Sequence, residues 1–464
     1  MTFFKNSIVM KKTILFFALA LLWSCNFLEE RSPNDIAADD AITDGASAEA
    51  AVLGLYSAMQ QPGYYGESYL LASEGHTDNA ATGGYQALSL DQLGNRAVTG
   101  VNVIIEELWT SVYRVIANCN YLLDGLAKVE DLDPAAKKHL EGQARAIRAL
   151  AHFDLLRYFG EHWNSSSAFG VPIVQSVQKI SDRPSRASVA ATYQFVLSEL
   201  NLAASLLDKG QKDVRFVHVN AVNALLARVY LYQKDMAKAA DFAGKVIASG
   251  DFALLEAAAY ADIFRTRQSP ESVFELAFDA QNRSGYNGAT YSRDDAIRPE
   301  LNYLAAESLR AFFASRPGDV RANLLNFEAG KNDVTILPDG RTQKYRGETN
   351  KDNPAYIVRL AELYLIRAEA RGRVTGLADV NEVRTRRGLP ALAASEVATD
   401  AAWQRTLLDE RRAELNFEGH RYFDLARTRQ VKAVLGVDEF RGIMPIPSRE
   451  LTANETLKQN PGYE

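Results

Sequence analysis

The chain of 464 residues is 47% hydrophobic and 24% charged, which excludes a disordered protein and allows one or two large domains. Its formal charge of −6, with no long basic run, argues against nucleic acid or anionic lipid as the main partner. The two cysteines, Cys25 and Cys119, provide no disulfide framework, so the fold must be stabilised by packing.

The first 24 residues carry the clearest targeting signal. Lys11 and Lys12 precede an apolar run of about a dozen residues that ends at Trp23, too short for a helix crossing a bilayer of ~30 Å. This pattern predicts a signal peptide over residues 1–24. Ser24 then precedes Cys25, and a leucine stands three residues before the cysteine, an arrangement that resembles a lipoprotein cleavage site. Secretion with cleavage elsewhere is the alternative.

Acylation of Cys25 would tether the protein to a membrane, since each buried methylene contributes roughly 0.8 kcal/mol. Residues 25–43 are therefore interpreted as a lipidated tether, and residues 44–464 as a single, mainly α-helical domain.

Apolar residues at helical spacing predict most of this domain. Helices are predicted over Asp44–Met59, Val103–Leu126, Ala135–Phe159, Ser188–Leu207, Val219–Tyr232, Met236–Ile247, Tyr356–Gly372 and Leu377–Arg386. Asp133 and Pro134 are the expected N-cap and first residue of the third helix. Trp109, Cys119 and His152 lie within these helices and are expected to be core residues.

Two helical pairs, 219–247 and 356–386, place alanine and tyrosine as tetratricopeptide units do. In such units, small residues let paired helices cross closely. No strict 34-residue repeat runs through the chain. The predicted fold is thus mainly α, a tetratricopeptide-like helical-pair scaffold with long irregular insertions and little β structure.

Residues 61–100 are the first irregular region, rich in Gly, Tyr, Ser and Asn and without periodicity. A loop of this length is usually functional or disordered. Aromatic faces pack on sugar rings or peptides, and Asp, Asn and His side chains bind hydroxyls or amides. The candidate ligand-binding residues here are Tyr64, Tyr65, His76, Asp78, Asn79 and Tyr85. A plain surface loop with structural tyrosines fits the composition equally well.

Residues 262–355 are the second irregular region, with a strand-like run at Ser272–Phe278. Tyr286 and Arg346 are candidate ligand-binding residues in it. Trp163, in the loop after the third helix, is another candidate, with a packing role as the alternative.

Residues 410–427 carry the densest charge pattern of the chain. On one helix Glu410, Glu414 and Glu418 would share a face, where like charges repel by roughly 0.2–0.5 kcal/mol per pair unless cations face them. The expected partners are Arg411 and Arg421 on the same helix and Arg384, Arg386 and Arg387 upstream. A catalytic or metal-binding set is one interpretation. An ion-pair network that includes the three glutamates and Arg421 is favoured, because no histidine completes a metal-ligand spacing.

Motifs for nucleotide binding, serine hydrolysis, zinc proteolysis and EF-hand calcium binding are absent from the sequence, and the six histidines are scattered. We therefore expect no enzymatic activity, no cofactor and no metal site. A lipid-anchored glycan hydrolase, which needs two carboxylates about 5–10 Å apart, is one alternative. A helical scaffold protein without a ligand is the other.

The segment 410–427 fits the pattern E-R-R-x-E-L-x-F-E-G-H-R-x-F-D-L-x-R and resembles the C-terminal signature of the SusD/RagB family. Further similarities are the Gly170–Val174 run, G-V-P-I-V, the proline-punctuated Met444–Pro447, and the terminal Q-N-P-G-Y. The resemblance implies a helical lipoprotein on the cell surface, anchored in the outer membrane. It also implies binding of an oligosaccharide or peptide and its delivery to a SusC-like TonB-dependent transporter.

Overall fold

The computed structural model describes residues 41–82, 88–279, 281–285, 303–325, 340, 342–345 and 352–464. Its α-helices are α1 (Gly45–Met59), α2 (Ser68–Gly75), α3 (Leu88–Gly94), α4 (Val103–Lys128), α5 (Pro134–Phe159), α6 (Val189–Leu206), α7 (Val219–Gln233), α8 (Met236–Ala248), α9 (Asp262–Arg265), α10 (Glu307–Ala314), α11 (Leu360–Thr375), α12 (Leu377–Thr385), α13 (Asp400–Leu415), α14 (Arg421–Arg427), α15 (Val431–Leu435) and α16 (Ser448–Ala453). Its strands are β1 (Ala80–Thr82), β2 (Ser272–Leu276), β3 (Tyr303–Ala305) and β4 (Ala355–Arg359). The predicted mainly α fold is confirmed.

The long helices begin where the sequence offers a capping side chain. Asp133 Oδ1 accepts two backbone N–H groups of the first turn of α5, at 2.8 and 3.3 Å, and Pro134 opens the helix as predicted. Asn102 caps α4 and Ser188 caps α6 through the same kind of bond. These side chains satisfy N–H groups that have no acceptor inside the helix.

Two helical hairpins form the repeat-like part of the molecule. Lys234, in the left-handed conformation, and Asp235, which caps α8, join α7 to α8. Helix α11 packs against α8 and is followed by α12, with which it also packs. Ala239 and Ala243 on α8 are completely buried, and such small side chains allow the helices to approach closely. The two predicted hairpins are therefore present.

The second hairpin begins later than the sequence predicted. Residues Ala355–Arg359 form β4, which runs antiparallel to β2 with Val358 opposite Phe274. All five residues of β4 are buried, and the β-branched Ile357 and Val358 favour a strand. The prediction of helix over Tyr356–Gly372 was wrong for residues 356–359.

The first irregular region is more ordered than the sequence predicted. Between residues 61 and 100 it contains a short π-helical turn, Pro62–Gly66, as well as α2, β1 and α3. All eight residues of α2 are buried. A helix that is buried on every side has no amphipathic period, and this is why the sequence pattern did not reveal it.

The largest hydrophobic cluster extends along the described chain from Ile42 to Leu457. Trp109, Cys119 and His152 lie in the interior, as expected. His152 Nδ1 lies 2.8 Å from the carbonyl oxygen of Arg148, and Val174 N–H donates to His152 Nε2 at 3.2 Å. Burial lowers the pKa of His152 to about 4 and raises the pKa of the free Cys119 thiol to about 12. Both groups are therefore uncharged at neutral pH.

Candidate ligand-binding face

A two-stranded ribbon of β1 and β3 joins the two irregular regions. The strands are antiparallel, with Ala80 opposite Ala305 and Thr82 opposite Tyr303. Beyond the strands, Ala306 N–H donates to the carbonyl oxygen of Asn79 at 2.8 Å. From the sequence, residues 61–100 and 262–355 were interpreted as two separate irregular regions. The ribbon shows that they meet, because β1 belongs to the first region and β3 to the second. We call the side of the molecule around this ribbon the ribbon face.

Other chain segments also meet at the ribbon face. Ala305 N–H donates to the carbonyl oxygen of Gly340 at 2.6 Å, and Leu325 forms an isolated bridge with Thr342. Gly285 N–H donates to the carbonyl oxygen of Gly66 at 2.9 Å. The first two contacts lie within the second irregular region, whereas the bond from Gly285 to Gly66 joins it to the first region at a point beyond the ribbon.

Several candidate residues lie outside the described residues. Tyr85, Tyr286 and Arg346 are among them, and so is Cys25. Two of them directly follow anchored residues: Tyr286 follows Gly285, and Arg346 follows Tyr345, whose hydroxyl donates to the carbonyl oxygen of Phe417 at 2.6 Å. Ligand binding by Tyr85, Tyr286 and Arg346 stays a prediction.

Tyr64 and Tyr65 are buried, with 0% and 5% of their surfaces exposed. Both hydroxyls donate to the same carboxylate oxygen, Asp154 Oδ2, at 2.6 Å. Asp154 is itself fully buried in α5 and also pairs with Arg157. The expectation that these tyrosines present an open aromatic face was wrong, because a buried carboxylate needs their hydroxyls as donors.

His76 and Asn79 are also fully buried. The His76 ring meets the Tyr422 ring edge-on at 5.3 Å, and burial lowers the pKa of His76 to about 3, so the ring is neutral. Asn79 Oδ1 accepts from Arg412 Nε at 2.9 Å. The expectation that His76 and Asn79 lie on an exposed loop was wrong, since the residues around them are the ordered elements α2 and β1.

Asp78 is partly exposed but is held in place by two arginines. Arg421 donates to both carboxylate oxygens, at 2.9 and 3.0 Å, and Arg412 pairs with Oδ2 at 3.0 Å. Burial opposes ionisation, yet the hydrogen bonds and charge of Arg421, helped by Arg412, lower the pKa of Asp78. Asp78 thus ties the chain just before β1 to helices α13 and α14. Its ligand-binding role stays a prediction.

Trp163 lies beside a separate small cluster that includes Leu425 and Val431. The guanidinium of Arg429 stands 4.7 Å from the centre of its ring. The indole is half-buried rather than fully packed. Its role in ligand binding also stays a prediction.

The three glutamates of the charged segment are buried and bound by cations. Glu410 accepts from Arg316 at 2.5 Å, from Arg321 at 3.1 Å and also from Arg384. Burial opposes ionisation of Glu410, but Arg321, Arg316 and Arg384 outweigh it and lower its pKa. The carboxylate is therefore charged at neutral pH and links three arginines from two chain segments.

Glu414 and Glu418 continue this arrangement. Glu414 accepts from Arg359 and Arg387, each at 3.0 Å. Glu418 accepts two bonds from Arg359, at 2.7 and 2.8 Å, and one from Lys344 at 2.7 Å. Such two-pronged arginine–carboxylate pairs fix geometry as well as charge.

Glu271, just before β2, closes the set by accepting two bonds from Arg387, at 2.9 and 3.0 Å. We call this set the charge network. Its members are Glu271, Asp319, Glu410, Glu414 and Glu418 with Arg316, Arg321, Lys344, Arg359, Arg384 and Arg387. The network connects the base of the second irregular region to α12 and α13.

Part of the partner assignment from sequence was wrong. Arg384 and Arg387 do bind the glutamates, but Arg411 pairs with Asp424, and Arg421 pairs with Asp78. Arg386 pairs with Glu382 and Glu256 near the surface. Glu418 also lies outside α13, which ends at Leu415, so the three acids do not share one helix.

Sequence reasoning missed Arg359, Arg321, Lys344 and Glu271. The sequence around Arg359 could have indicated a buried charge, since Arg359 is a single charged residue at the end of the apolar run Tyr356–Val358. Its partners are far away in sequence, and one chain gives no spacing that connects them.

The charge network does not form a catalytic or metal centre. Each of its carboxylates is paired with a cation, and none of the described residues form a group of His, Cys, Asp and Glu suited to a metal ion. The arrangement can hold the chain segments that contribute to it in fixed relative positions.

Comparison with known families gives two matches. Residues 26–231 match the family SusD-like_3, described as "Starch-binding associating with outer membrane". Residues 334–438 match SusD_RagB, described as the SusD family. The second match contains the charged segment and most of the arginines that bind it.

Similar proteins cover the chain almost from end to end. "SusD-like protein P2" of Formosa agariphila is 25% identical, with 98% of this chain and 100% of that protein aligned. A crystal structure of a SusD superfamily protein from Bacteroides vulgatus has a TM-score of 0.78 at 27% identity, covering 91% of this chain and 100% of that one. A "Putative sugar binding protein" from the same organism has a TM-score of 0.78 at 26% identity, with the same coverage.

No helix among the described residues has both the length and the apolar character that crossing a bilayer requires.

Proposed function

Because the chain belongs to the SusD/RagB family, we propose that it captures a glycan and delivers it to a SusC-like TonB-dependent transporter in the outer membrane. The ligand class follows from the starch-binding description of the first family match and from the similar structure described as sugar-binding. Those proteins are described as binding proteins, and this protein likewise acts by binding rather than catalysis. A peptide is the other ligand that the family resemblance allows.

The ribbon is the observation that carries this proposal. It joins the two irregular regions, and Arg412 and Arg421 hold the residues just before β1 through Asn79 and Asp78. A glycan site needs a few aromatic and polar side chains held in fixed relative positions, and rigid elements beneath loops provide this. Tyr85 and Tyr286 are our candidates for stacking on sugar rings.

The proposed location is the outer leaflet of the outer membrane. The family description places SusD-like_3 proteins at the outer membrane. The signal peptide at residues 1–24 and acylation of Cys25 would supply the anchor. Replacing Cys25 with alanine is expected to move the protein from the membrane pellet to the supernatant after centrifugation.

Isothermal titration calorimetry tests the proposal. The purified protein is titrated with starch, fructan, xylan, host-glycan and peptide panels, and products are analysed in parallel. For the glycan that binds, Tyr85→Ala or Tyr286→Ala is expected to weaken affinity about tenfold, because each removes an aromatic stacking surface. Tyr121→Ala is the matched control, since Tyr121 is 40% exposed on α4 and lies outside both irregular regions.

Unchanged affinity in both loop variants would place the site elsewhere. Release of shortened sugars by the unaltered protein would favour a hydrolase instead.

A further inference from the structure

A cavity of about 270 Å³ lies away from the ribbon, between the chain before α7, the segment after α8 and the residues that lead into β2. Lys212, His218, Asn220, Asp251, Phe252 and Ser269 are among the residues that line it. Neither the ribbon strands nor the charge network contributes a lining residue. The cavity is therefore separate from the proposed ligand-binding face.

One wall of the cavity carries a preassembled polar group. Asp251 accepts from Lys212 Nζ through Oδ1 and from Asn220 Nδ2 through Oδ2, the latter at 2.9 Å. These contacts hold the Asn220 amide with its nitrogen toward Asp251 and leave the amide oxygen as a further acceptor. The wall therefore offers both donors and acceptors to a ligand.

A second wall contains a buried hydroxyl that lacks a protein partner. Ser269 is 4% exposed, and its Oγ makes no hydrogen bond to any of the described residues. A buried hydroxyl left without a partner costs free energy. A ligand that hydrogen-bonds Ser269 Oγ would recover this loss.

A neutral imidazole and a phenyl ring complete the lining. His218 Nε2 lies 2.9 Å from the carbonyl oxygen of Val273, so Nε2 carries the proton and Nδ1 is an acceptor. Burial lowers the pKa of His218 and keeps the ring uncharged. The Phe252 ring stacks beside it, 6.2 Å away and tilted by 27°, and is half-buried. An apolar ring next to hydroxyl-binding groups suits the mixed faces of a sugar.

The charges around the cavity are balanced. Lys212 is paired with Asp251, and Asp213 is paired with Arg215. Each charged residue that lines the cavity is therefore paired, and none is left alone to select an anion or a cation. The volume also lies just below the range of ~300–1,000 Å³ typical of drug-sized ligands, so one small ring fits better than a long oligomer.

We propose that this cavity is a second carbohydrate site, which binds one neutral pyranose unit. Phe252 stacks on the apolar face of the ring, and Asp251, Asn220, His218 and Ser269 bind its hydroxyls. The proposal does not depend on glycan capture at the ribbon face, because the two sites share no residues.

Nuclear magnetic resonance titration tests the proposal. Glucose, galactose, mannose and xylose are added to the purified protein at millimolar concentration, with glucuronate as a charged analogue. At least one neutral sugar is expected to bind saturably. Phe252→Ala is expected to weaken that binding about tenfold and Ser269→Ala about threefold, since they remove a stacking surface and a hydrogen bond.

Phe242→Ala is the matched control. Phe242 on α8 is half-buried like Phe252, but it stacks on Tyr230 and does not line the cavity. Its variant should bind the sugar normally, and thermal unfolding checks that all variants fold. The Tyr85→Ala variant should also bind normally, which separates this site from the ribbon face.

Three results would overturn the proposal. The first is that no neutral sugar binds saturably. The second is that Phe242→Ala weakens sugar binding as much as Phe252→Ala does, and the third is that only glucuronate binds.

Discussion

In the two hairpins α7–α8 and α11–α12, buried alanines and leucines pack around one ion pair between the hairpins, Arg228–Glu362. A second region, made of the charge network and the tyrosines around Asp154, consists instead of many buried charges and tyrosine hydroxyls. Ala243 and Leu363 are completely buried in the first region. Glu414, Arg359 and Asp154 are just as deeply buried in the second. Apolar packing tolerates small adjustments, but a buried ion requires its partner at one position. The second region therefore has a fixed geometry, and removing one of its charges should greatly lower the free energy of unfolding.

The largest effect is expected from Glu414→Gln. The change keeps the side-chain shape but leaves Arg359, Arg387 and Arg321 without their shared carboxylate in the interior. Breaking a buried pair in this way costs about 3–5 kcal/mol in the free energy of unfolding. Urea denaturation measures the loss.

Glu382→Gln is the control for this change. Glu382 also pairs with an arginine, Arg386, but its side chain is 40% exposed. An exposed pair contributes about 0–1 kcal/mol, so this variant should be nearly as stable as the unaltered protein. Similar losses in the two variants would contradict the contrast between the regions.

The next effect concerns pH and the buried Glu74 on α2. Its Oε1 accepts from Gly419 N–H at 2.7 Å, and burial raises its pKa from 4.5 to about 7. The hydrogen bond from Gly419 N–H and the charge of Lys344 oppose this rise in pKa, and Tyr303 on β3 is a titratable neighbour. Between pH 4.5 and 7 the folded protein thus binds more protons at Glu74 than the unfolded chain does. This contribution to stability is present below pH 4.5 and is lost as pH rises toward 7.

Glu74→Gln removes this titration while keeping an acceptor for Gly419. Relative to the unaltered protein, the variant should gain about 3 kcal/mol as pH rises from 4.5 to 7. Other carboxylates, such as Glu410, have lowered pKa values and act in the opposite direction. The difference between the two proteins, measured by denaturation at several pH values, isolates Glu74. A difference that does not vary with pH would contradict the assignment.

The smallest effect is expected in the hairpins, from Ala243→Leu. Ala243 has no exposed surface, so the added carbons must push neighbouring side chains apart, at a cost of about 1–3 kcal/mol. Ala237→Leu on the same helix is the control, because Ala237 is exposed and should tolerate the larger side chain. Thermal unfolding compares the two. An equal response would mean that close helix approach does not depend on Ala243.

The same contrast explains what the sequence could predict. In the hairpin α7–α8 and in α4–α6, apolar residues recur at helical spacing, so both the helices and their approximate limits were predictable. In α2 every residue is buried, and in β4 a strand runs directly into a helix, so no single period marks either one.

The candidate site was less predictable for a related reason. Tyr64 and Tyr65 lie in a glycine-rich stretch that is typical of an exposed loop. In the folded protein both hydroxyls donate to the buried carboxylate of Asp154, which is far away in the sequence. The sequence did indicate that Glu410 and Glu414 need cations. It could not show that Arg359 and Arg321 are among them, because those partners meet only in the folded chain.

Cys119 gives the folded protein a built-in reporter. It is the one free thiol among the described residues, it has no exposed surface, and its raised pKa keeps it in the unreactive thiol form. A maleimide dye should therefore label Cys119 only when α4 separates from its neighbours. The labelling rate in native buffer would then measure how often the interior opens.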